Sequence, residues 1–194
     1  MSRVALFVDY LDFCASAEET FGSFDDDRRS VHVDPARLAD VLTAGMPGAI
    51  EMTEVRVYRG VPDGRRDEAG FAEALRQMEA WRARGVVVVR RPLDEPDCGK
   101  NAHPGRSRAL SVALAVDLLT RAWTDEFDAA ILCSRDGALE PAVRGVLGHT
   151  WKRVFVAAWR DPHRPASRLR IREEELPCWW LNRSVFDEVV ERES

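Results

Sequence analysis

The chain has 194 residues, of which 45% are hydrophobic and 31% are charged, a composition typical of one globular domain rather than of a disordered chain. Its 28 basic and 33 acidic side chains give a net charge of −5, which argues against a protein that coats nucleic acid through bulk charge but leaves room for a local basic groove. We expect a cytoplasmic protein that does not cross a membrane, because the first apolar run is too short for a signal peptide or a span and the cysteines show no zinc or disulfide spacing.

The first half of the chain alternates short apolar strands with helices. The run from Val4 to Val8 is apolar on both faces, as in a central parallel strand, and it ends at Asp9. Asp34 followed by Pro35 is the pattern of a capped helix start. The predicted elements here are strands over 4–8, 53–58 and 86–89, and helices over 11–20, from 35 to about 44, and over 67–84.

The second half continues the alternation after a long irregular segment, residues 92–107, which contains three prolines, Lys100 and His103. A loop of this length in a compact domain is usually functional, and we expect it to be a substrate-side flap. The elements that follow are predicted over 108–122 (helix), 129–133 (strand), 138–147 (helix) and 154–158 (strand), with an amphipathic helix near the C terminus. The pattern predicts a three-layer α/β/α sandwich with a mostly parallel central sheet.

Carboxylates follow two of these strands. In open parallel sheets, ligands bind beyond the carboxyl ends of the strands, near the switch point of the topology. Asp9 ends the first strand and Asp136 follows the fourth, so both can reach one divalent cation at that edge, with Asp12 one helical turn further as a third ligand. Such an ion activates water for attack on a phosphodiester. The alternative is that Asp9 and Asp136 only cap the helices that follow them.

Three segments resemble a known family. Residues 4–13 resemble its opening strand, in which hydrophobic residues precede Asp-x-x-Asn; residues 108–119 resemble its Lys-Gly-Val-Asp-Val helix; residues 130–141 resemble its Ser-Gly-Asp-Ser-Asp-Phe-x-Pro turn. On these segments, and over nearly the whole chain, the sequence resembles the NYN domain of the PIN-like nuclease superfamily, closest to its bacterial LabA-type branch.

The resemblance implies a metal-dependent ribonuclease that acts on RNA with Mg²⁺ or Mn²⁺. It implies metal ligands at Asp9 and Asp136, a further catalytic acid at Asp117, and substrate contacts at Arg108, Ser111, Ser134 and Arg135. Asp12 stands where the family has asparagine and can still coordinate, so we count it with the catalytic acids. The chain also departs from the family pattern. Ser111 and Ala138 stand where the family has acids, and Arg135 stands where it has glycine. An arginine there can hold phosphate without cutting it.

Helix geometry bears on Asp117. Residues 111 and 117 are six apart, about 9 Å along a helix axis. If residue 111 faces the site, Asp117 lies deeper and serves as a structural hydrogen-bonding acid.

These observations leave alternatives open. The first hypothesis is an endoribonuclease with a partly degenerate acidic site, and the second is a non-catalytic relative that binds RNA or a partner protein. A phosphoesterase for a small nucleotide would use the same site. Arg90 and Arg91 are either phosphate contacts or a solvated strand end, and Trp179 and Trp180 are expected in core or dimer packing rather than on bases. We expect one domain over residues 1–194, with residues 168–194 as a C-terminal extension.

Overall fold

The computed structural model describes residues 1–22, 31–93 and 108–191. Among these residues, six strands form one sheet in the order β3-β2-β1-β4-β5-β6, and every neighbouring pair is parallel. In chain order the elements are β1 (Ser2–Asp9), α1 (Tyr10–Phe21), α2 (Pro35–Gly45), β2 (Ile50–Val61), α3 (Glu68–Ala83), β3 (Val87–Pro92), α4 (Arg108–Trp123), β4 (Ala129–Cys133), a 3₁₀ turn (Gly137–Leu139), α5 (Glu140–His149), β5 (Arg153–Trp159), β6 (Cys178–Leu181) and α6 (Arg183–Val189).

Helices cover both faces of the sheet, so the chain is a three-layer α/β/α sandwich. Successive residues of a strand point to opposite faces, and β1 shows this directly. Val4, Leu6 and Val8 lie in one core layer with α1, α2, α3 and α6, whereas Ala5 and Phe7 lie in the other with α4 and α5. The strand is buried on both faces, which explains its continuous apolar sequence.

The predicted fold class is confirmed, and the structure adds one strand. Five predicted strands are present, with β2 extended at both ends. The sequence did not predict β6, which pairs along β5 and places Trp179 and Trp180 opposite Ala157 and Ala158. Both tryptophans pack against the core layers, one on each face. The C-terminal residues therefore continue the same sheet.

Local signals explain where several helices begin and end. The Asp34 carboxylate accepts hydrogen bonds from the backbone N–H groups of Ala36 and Arg37, which caps α2 as predicted. Gly85, just beyond α3, has a φ of +84°, a conformation that favours glycine at a helix end. In the described ranges, no helix combines the length and apolarity that a membrane crossing requires.

The strand order places a switch point between β1 and β4. The chain proceeds outward from β1 to β2 and β3, and then returns to the other side of β1 for β4, β5 and β6. The carboxyl ends of β1 and β4 border the crevice in which ligands of such sheets bind. Asp9 and the segment beginning at Ser134 lie at these two ends.

Candidate active site

Asp9 and Ser134 are brought together by the pairing of two adjacent strands. Val8 of β1 is in register with Cys133 of β4, so the next residue of each chain segment lies at the same edge. The Ser134 hydroxyl lies within donating distance of two carboxylates. It is 3.3 Å from Asp9 Oδ2 and 3.5 Å from Asp12 Oδ2. Ser134 is buried, which is consistent with a hydroxyl that orders carboxylates rather than one that faces solvent.

Asp12, in the first turn of α1, is held by Arg135. The backbone N–H of Arg135 donates to Asp12 Oδ2 at 2.6 Å, and its guanidinium Nε and Nη2 donate to Oδ1 at 3.2 and 3.1 Å. The same guanidinium pairs with Glu19 one to two turns along α1, at 2.5 Å. The Asp12 side chain is only 3% exposed, so its charge is compensated mainly by this arginine.

Asp136 is oriented by two donors. The hydroxyl of Ser111, in the first turn of α4, donates to Asp136 Oδ2 at 2.7 Å. The backbone N–H of Ala138 donates to Oδ1 at 3.0 Å, which caps the 3₁₀ turn. The capping interpretation therefore holds for Asp136, although its partly buried carboxylate also faces the other acids. Asp9 occupies the N-cap position of α1 without a side-chain capping bond.

The grouping of these acids affects the ionisation of Asp9. Burial, together with the negative charges of Asp12 and Asp136, raises the pKa of Asp9 to about 7, and the bond from Ser134 offsets only part of this effect. Carboxylates that share a site repel one another when ionised. Arg135 neutralises Asp12 but leaves Asp9 without a cation of its own among the described contacts.

Asp117 belongs to a different cluster. Arg56 Nη2 and the Tyr58 hydroxyl, both from β2, donate to Asp117 Oδ2 at 2.8 Å each. Arg56 also pairs with Glu54 at 2.9 Å. The six-residue separation from Ser111 thus places Asp117 along α4 in contact with the middle of β2, as the helix geometry suggested for a structural acid.

The remaining predicted residues either have exposed side chains or lie outside the described residues. Arg108 is the first residue of α4 and its side chain is exposed. The predicted flap falls largely on residues 94–107, and His103 with it, outside the described residues. Glu19 could not be predicted as a partner of Arg135, because 116 residues separate the two in sequence and only the fold joins them.

The donors at this edge suit a hard cation in type but offer few charges. Among the described residues, no three His, Cys, Asp or Glu side chains form a group that could hold a metal ion. Two carboxylates, Asp9 and Asp136, remain without a basic partner in that part of the chain, and the Ser111 and Ser134 hydroxyls lie beside them. Carboxylate and hydroxyl oxygens are ligands that Mg²⁺ accepts together with water, so the set fits one weakly held ion.

Comparisons with known proteins agree with this architecture. A family model described as the NYN domain matches residues 3–173. A solved structure of a protein of unknown function from Vibrio parahaemolyticus RIMD 2210633 is similar at a TM-score of 0.52 and 18% identity, covering 80% of each chain. At that identity the likeness concerns the fold alone. Among curated proteins, none matches the chain.

Proposed function

Because this chain belongs to the NYN domain family of PIN-like nucleases, we propose that it is an endoribonuclease that cleaves RNA phosphodiesters with one divalent cation. The observation that carries the proposal is the partly buried carboxylate of Asp9, which faces Asp12 and Asp136 at the switch point of the sheet and has no positive partner among its described contacts. Two acids without a basic partner among the described residues, at this edge of the sheet, are expected to bind a cation.

Asp9 and Asp136 would hold the ion, which we take to be Mg²⁺ or Mn²⁺. When bound, the ion would supply activation of water and would offset the charge that develops on the phosphate. The Ser111 hydroxyl fixes the rotamer of Asp136, and the Ser134 hydroxyl fixes that of Asp9. The Asp12–Arg135 pair joins α1 to the turn after β4, and so helps to hold Asp9 and Asp136 at neighbouring positions on the same edge of the sheet.

The protonation of Asp9 is part of the same proposal. With a pKa of about 7, this carboxyl is divided between its acid and its carboxylate near neutral pH. Only the carboxylate is a ligand, so protons and the cation compete for it. Affinity for the cation should therefore increase as pH is raised from 6 to 8.

The test is cleavage of labelled single-stranded RNA with Mn²⁺, with and without chelator. We expect slow cleavage by the wild-type protein, none with chelator and none for Asp9→Asn. Asp40→Asn is the matched control, because Asp40 is an exposed acid on α2 that pairs with Arg84 at 3.6 Å, away from the acidic site. It should cleave like the wild type.

A double variant tests the vacant family positions. Ser111→Asp with Ala138→Asp places two new carboxylates next to Asp136, where Ser111 now donates a hydrogen bond. Without a cation these charges repel, so the variant should be less stable in chelator and should bind Mn²⁺ and cleave RNA more strongly than the wild type. Wild-type cleavage that survives both chelator and Asp9→Asn would exclude the metal centre.

A second function is favoured by one observation, the engagement of Asp12 by Arg135. This contact engages both carboxylate oxygens of Asp12 and so occupies an acid that could otherwise be a third ligand of the cation. With Ser111 and Ala138 in place of acids, the chain would then bind RNA, or a partner protein, without cleaving it. Tight binding of single-stranded RNA with no Mn²⁺-dependent cleavage would identify this case.

A further inference from the structure

A second feature of the carboxyl edge is a cavity at the ends of β2 and β3. It has a volume of about 760 Å³, within the range of small-molecule sites. Its apolar lining includes Phe71 of α3 and Leu93 after β3. Its rim carries Arg65 and Arg66 from the turn after β2, and Arg90 and Arg91 from the end of β3.

The charge at this cavity is opposite to that of the whole chain. Among the described residues that line it, the four arginines face a single acid, Asp63. The chain as a whole has a net charge of −5. The Arg65, Arg90 and Arg91 side chains are exposed, and none of the three forms an ion pair within the described residues. Their charges are therefore available to an anion from solution.

The apolar lining is shaped by two close contacts with glycine. A Cβ atom at Gly64 would lie 3.1 Å from the Phe71 ring, so the ring packs directly over this backbone. A Cβ at Gly60 would lie 2.2 Å from Leu93 Cδ2 and 3.0 Å from Leu11 Cδ1. Leu93 and Leu11 thus meet over Gly60, and Leu11 is the residue before Asp12.

The cavity lies on the same side of the sheet edge as the acidic site. Asp9 of β1 is in register with Tyr58 of β2, and Val61 at the cavity is three residues further along the same strand. At about 3.3 Å per residue along a strand and about 4.8 Å between strands, the separation is about 10 Å along and one strand spacing across. A short run of nucleotides spans such a distance.

From these features we propose that the cavity binds single-stranded RNA on one side of the scissile phosphate, with a base against Phe71 and Leu93 and the flanking phosphates on the arginines. This inference rests on the proposed action on RNA and adds the strandedness of the substrate and the direction of its path. Arginine binds phosphate through a planar fork and also stacks on bases. An aromatic or apolar surface can receive only an unpaired base, since a duplex keeps its bases stacked inside.

The test measures binding of a short fluorescent single-stranded RNA in chelator, so that cleavage plays no part. Arg90→Ala with Arg91→Ala should weaken binding and reduce the slope of log affinity against log salt by about 1.4, at about 0.7 for each lost phosphate contact. Phe71→Leu keeps an apolar side chain but loses the ring face. It should weaken binding by about fivefold or more without changing the salt slope.

The matched control is Arg170→Ala with Arg172→Ala, which removes two exposed arginines that do not line the cavity. It should bind RNA like the wild type. A duplex of the same sequence should bind more weakly than the single strand.

Three results would overturn the inference: unchanged binding in the Arg90 and Arg91 double variant, equal loss in the control, or equal affinity for duplex and single strand with Phe71→Leu unaffected. Failure of the cleavage assay is a separate outcome. A protein that binds single-stranded RNA at this cavity without cutting it would leave the inference intact and contradict only the proposed catalysis.

Discussion

At the scale of single residues, Asp9 is the acid of the site whose ionisation is disfavoured by its surroundings. It lies at the end of β1, partly buried, and faces the carboxylates of Asp12 and Asp136. Ser134 supplies one hydrogen bond, but the described structure gives Asp9 no cation such as Arg135 gives Asp12. Ionised Asp9 lowers the stability of the fold, and a bound cation would remove this destabilisation. We therefore interpret Asp9 as a ligand of a cation.

The first prediction concerns Asp9→Asn and pH. The unfolded chain releases this proton near pH 4, whereas the folded protein holds it until about pH 7. The carboxyl of Asp9 therefore does not lower the free energy of unfolding below pH 4, and its destabilising effect grows as pH rises to about 7. The asparagine of the variant cannot ionise, so the variant should be more stable than the wild type at pH 8 by about 2–4 kcal/mol. Urea unfolding across this pH range measures the difference.

Asp40→Asn is the control for that experiment, since Asp40 is 80% exposed and should show no such pH dependence. At pH 8, Mn²⁺ should stabilise the wild type and the control but not Asp9→Asn, because only a ligand that binds the folded state raises its stability. A stability difference independent of pH would contradict the assigned charge on Asp9.

The second prediction concerns Arg135, which stands where the family has glycine. Arg135→Gly removes the guanidinium from Asp12 Oδ1, so this oxygen can act as a third ligand, but the buried carboxylate loses the positive charge that pairs with it. The variant should lose about 2–4 kcal/mol in chelator and regain most of it with Mn²⁺, and it should bind Mn²⁺ more tightly than the wild type. Chelator and Mn²⁺ melting curves, with Arg170→Ala as a surface control, measure both effects. Equal Mn²⁺ affinity would show that Asp12 is not a potential ligand.

At the scale of elements, α4 is anchored to β2 by a polar cluster. Asp117 accepts hydrogen bonds from Arg56 and Tyr58, and Arg56 is 10% exposed in its side chain. Burial and the nearby Asp117 raise the pKa of Tyr58, so its hydroxyl stays a donor. The cluster fixes the position of α4 along the sheet, which in turn places Ser111 against Asp136.

The third prediction separates a structural Asp117 from a catalytic one. Asp117→Ala removes one of the two acids that pair with Arg56 in the described structure and leaves Glu54 as the other, so it should destabilise the fold by about 1–3 kcal/mol. Because Asp117 contacts β2 rather than the acidic site, Mn²⁺ affinity measured by calorimetry at a temperature where the variant is folded should stay within about twofold of the wild type. A loss of Mn²⁺ binding as large as that of Asp9→Asn would instead show that Asp117 is part of the metal site.

Patterns local in sequence predicted most elements, and contacts distant in sequence could not be predicted. The apolar run of β1 and the Asp34–Pro35 helix start each specify their structure over a few residues. β6 was missed because it is four residues long and its tryptophans are only partly buried at the edge of the sheet. The Arg56–Asp117 pair joins residues 61 apart, and no periodicity signals it.

At the scale of the whole molecule, the C-terminal residues complete the sheet. Trp159 at the end of β5 donates to the Phe13 carbonyl and packs against Phe21 and Phe186 of α6. The buried residues of this segment beyond the family match include Leu181, Phe186 and Val189. The core that supports α1, and thus Asp12, therefore depends on residues after 173.

The fourth prediction is that a chain ending at residue 173 does not fold stably. Losing three buried apolar side chains removes about 5–9 kcal/mol of hydrophobic stabilisation, comparable with the whole stability of a typical domain. Circular dichroism during heating should show no cooperative transition, whereas Arg183→Ala in the full chain, an exposed change in α6, should melt close to the wild type. A cooperative transition at the wild-type temperature would show that the C-terminal residues are a dispensable extension.

The position of the acidic site also follows from the whole topology. The sequence placed Asp9 and Asp136 after strands one and four, and the parallel order of the sheet makes these strands neighbours. What the sequence did not reveal is the compensation around them, since Arg135 could face a phosphate or a carboxylate and only the fold directs it to Asp12 and Glu19. For the basic cavity, the sequence pointed only to Arg90 and Arg91. It gave no sign that Phe71 and the arginines of the turn after β2 lie beside them.

The most direct test of the central claim is a crystal of the full chain soaked in Mn²⁺ and measured at an anomalous wavelength. We predict an anomalous peak between the carboxylates of Asp9 and Asp136, within about 2.0–2.6 Å of an oxygen of each, and no peak there in Asp9→Asn crystals. A wild-type map with saturating Mn²⁺ and no peak at these two carboxylates would contradict it.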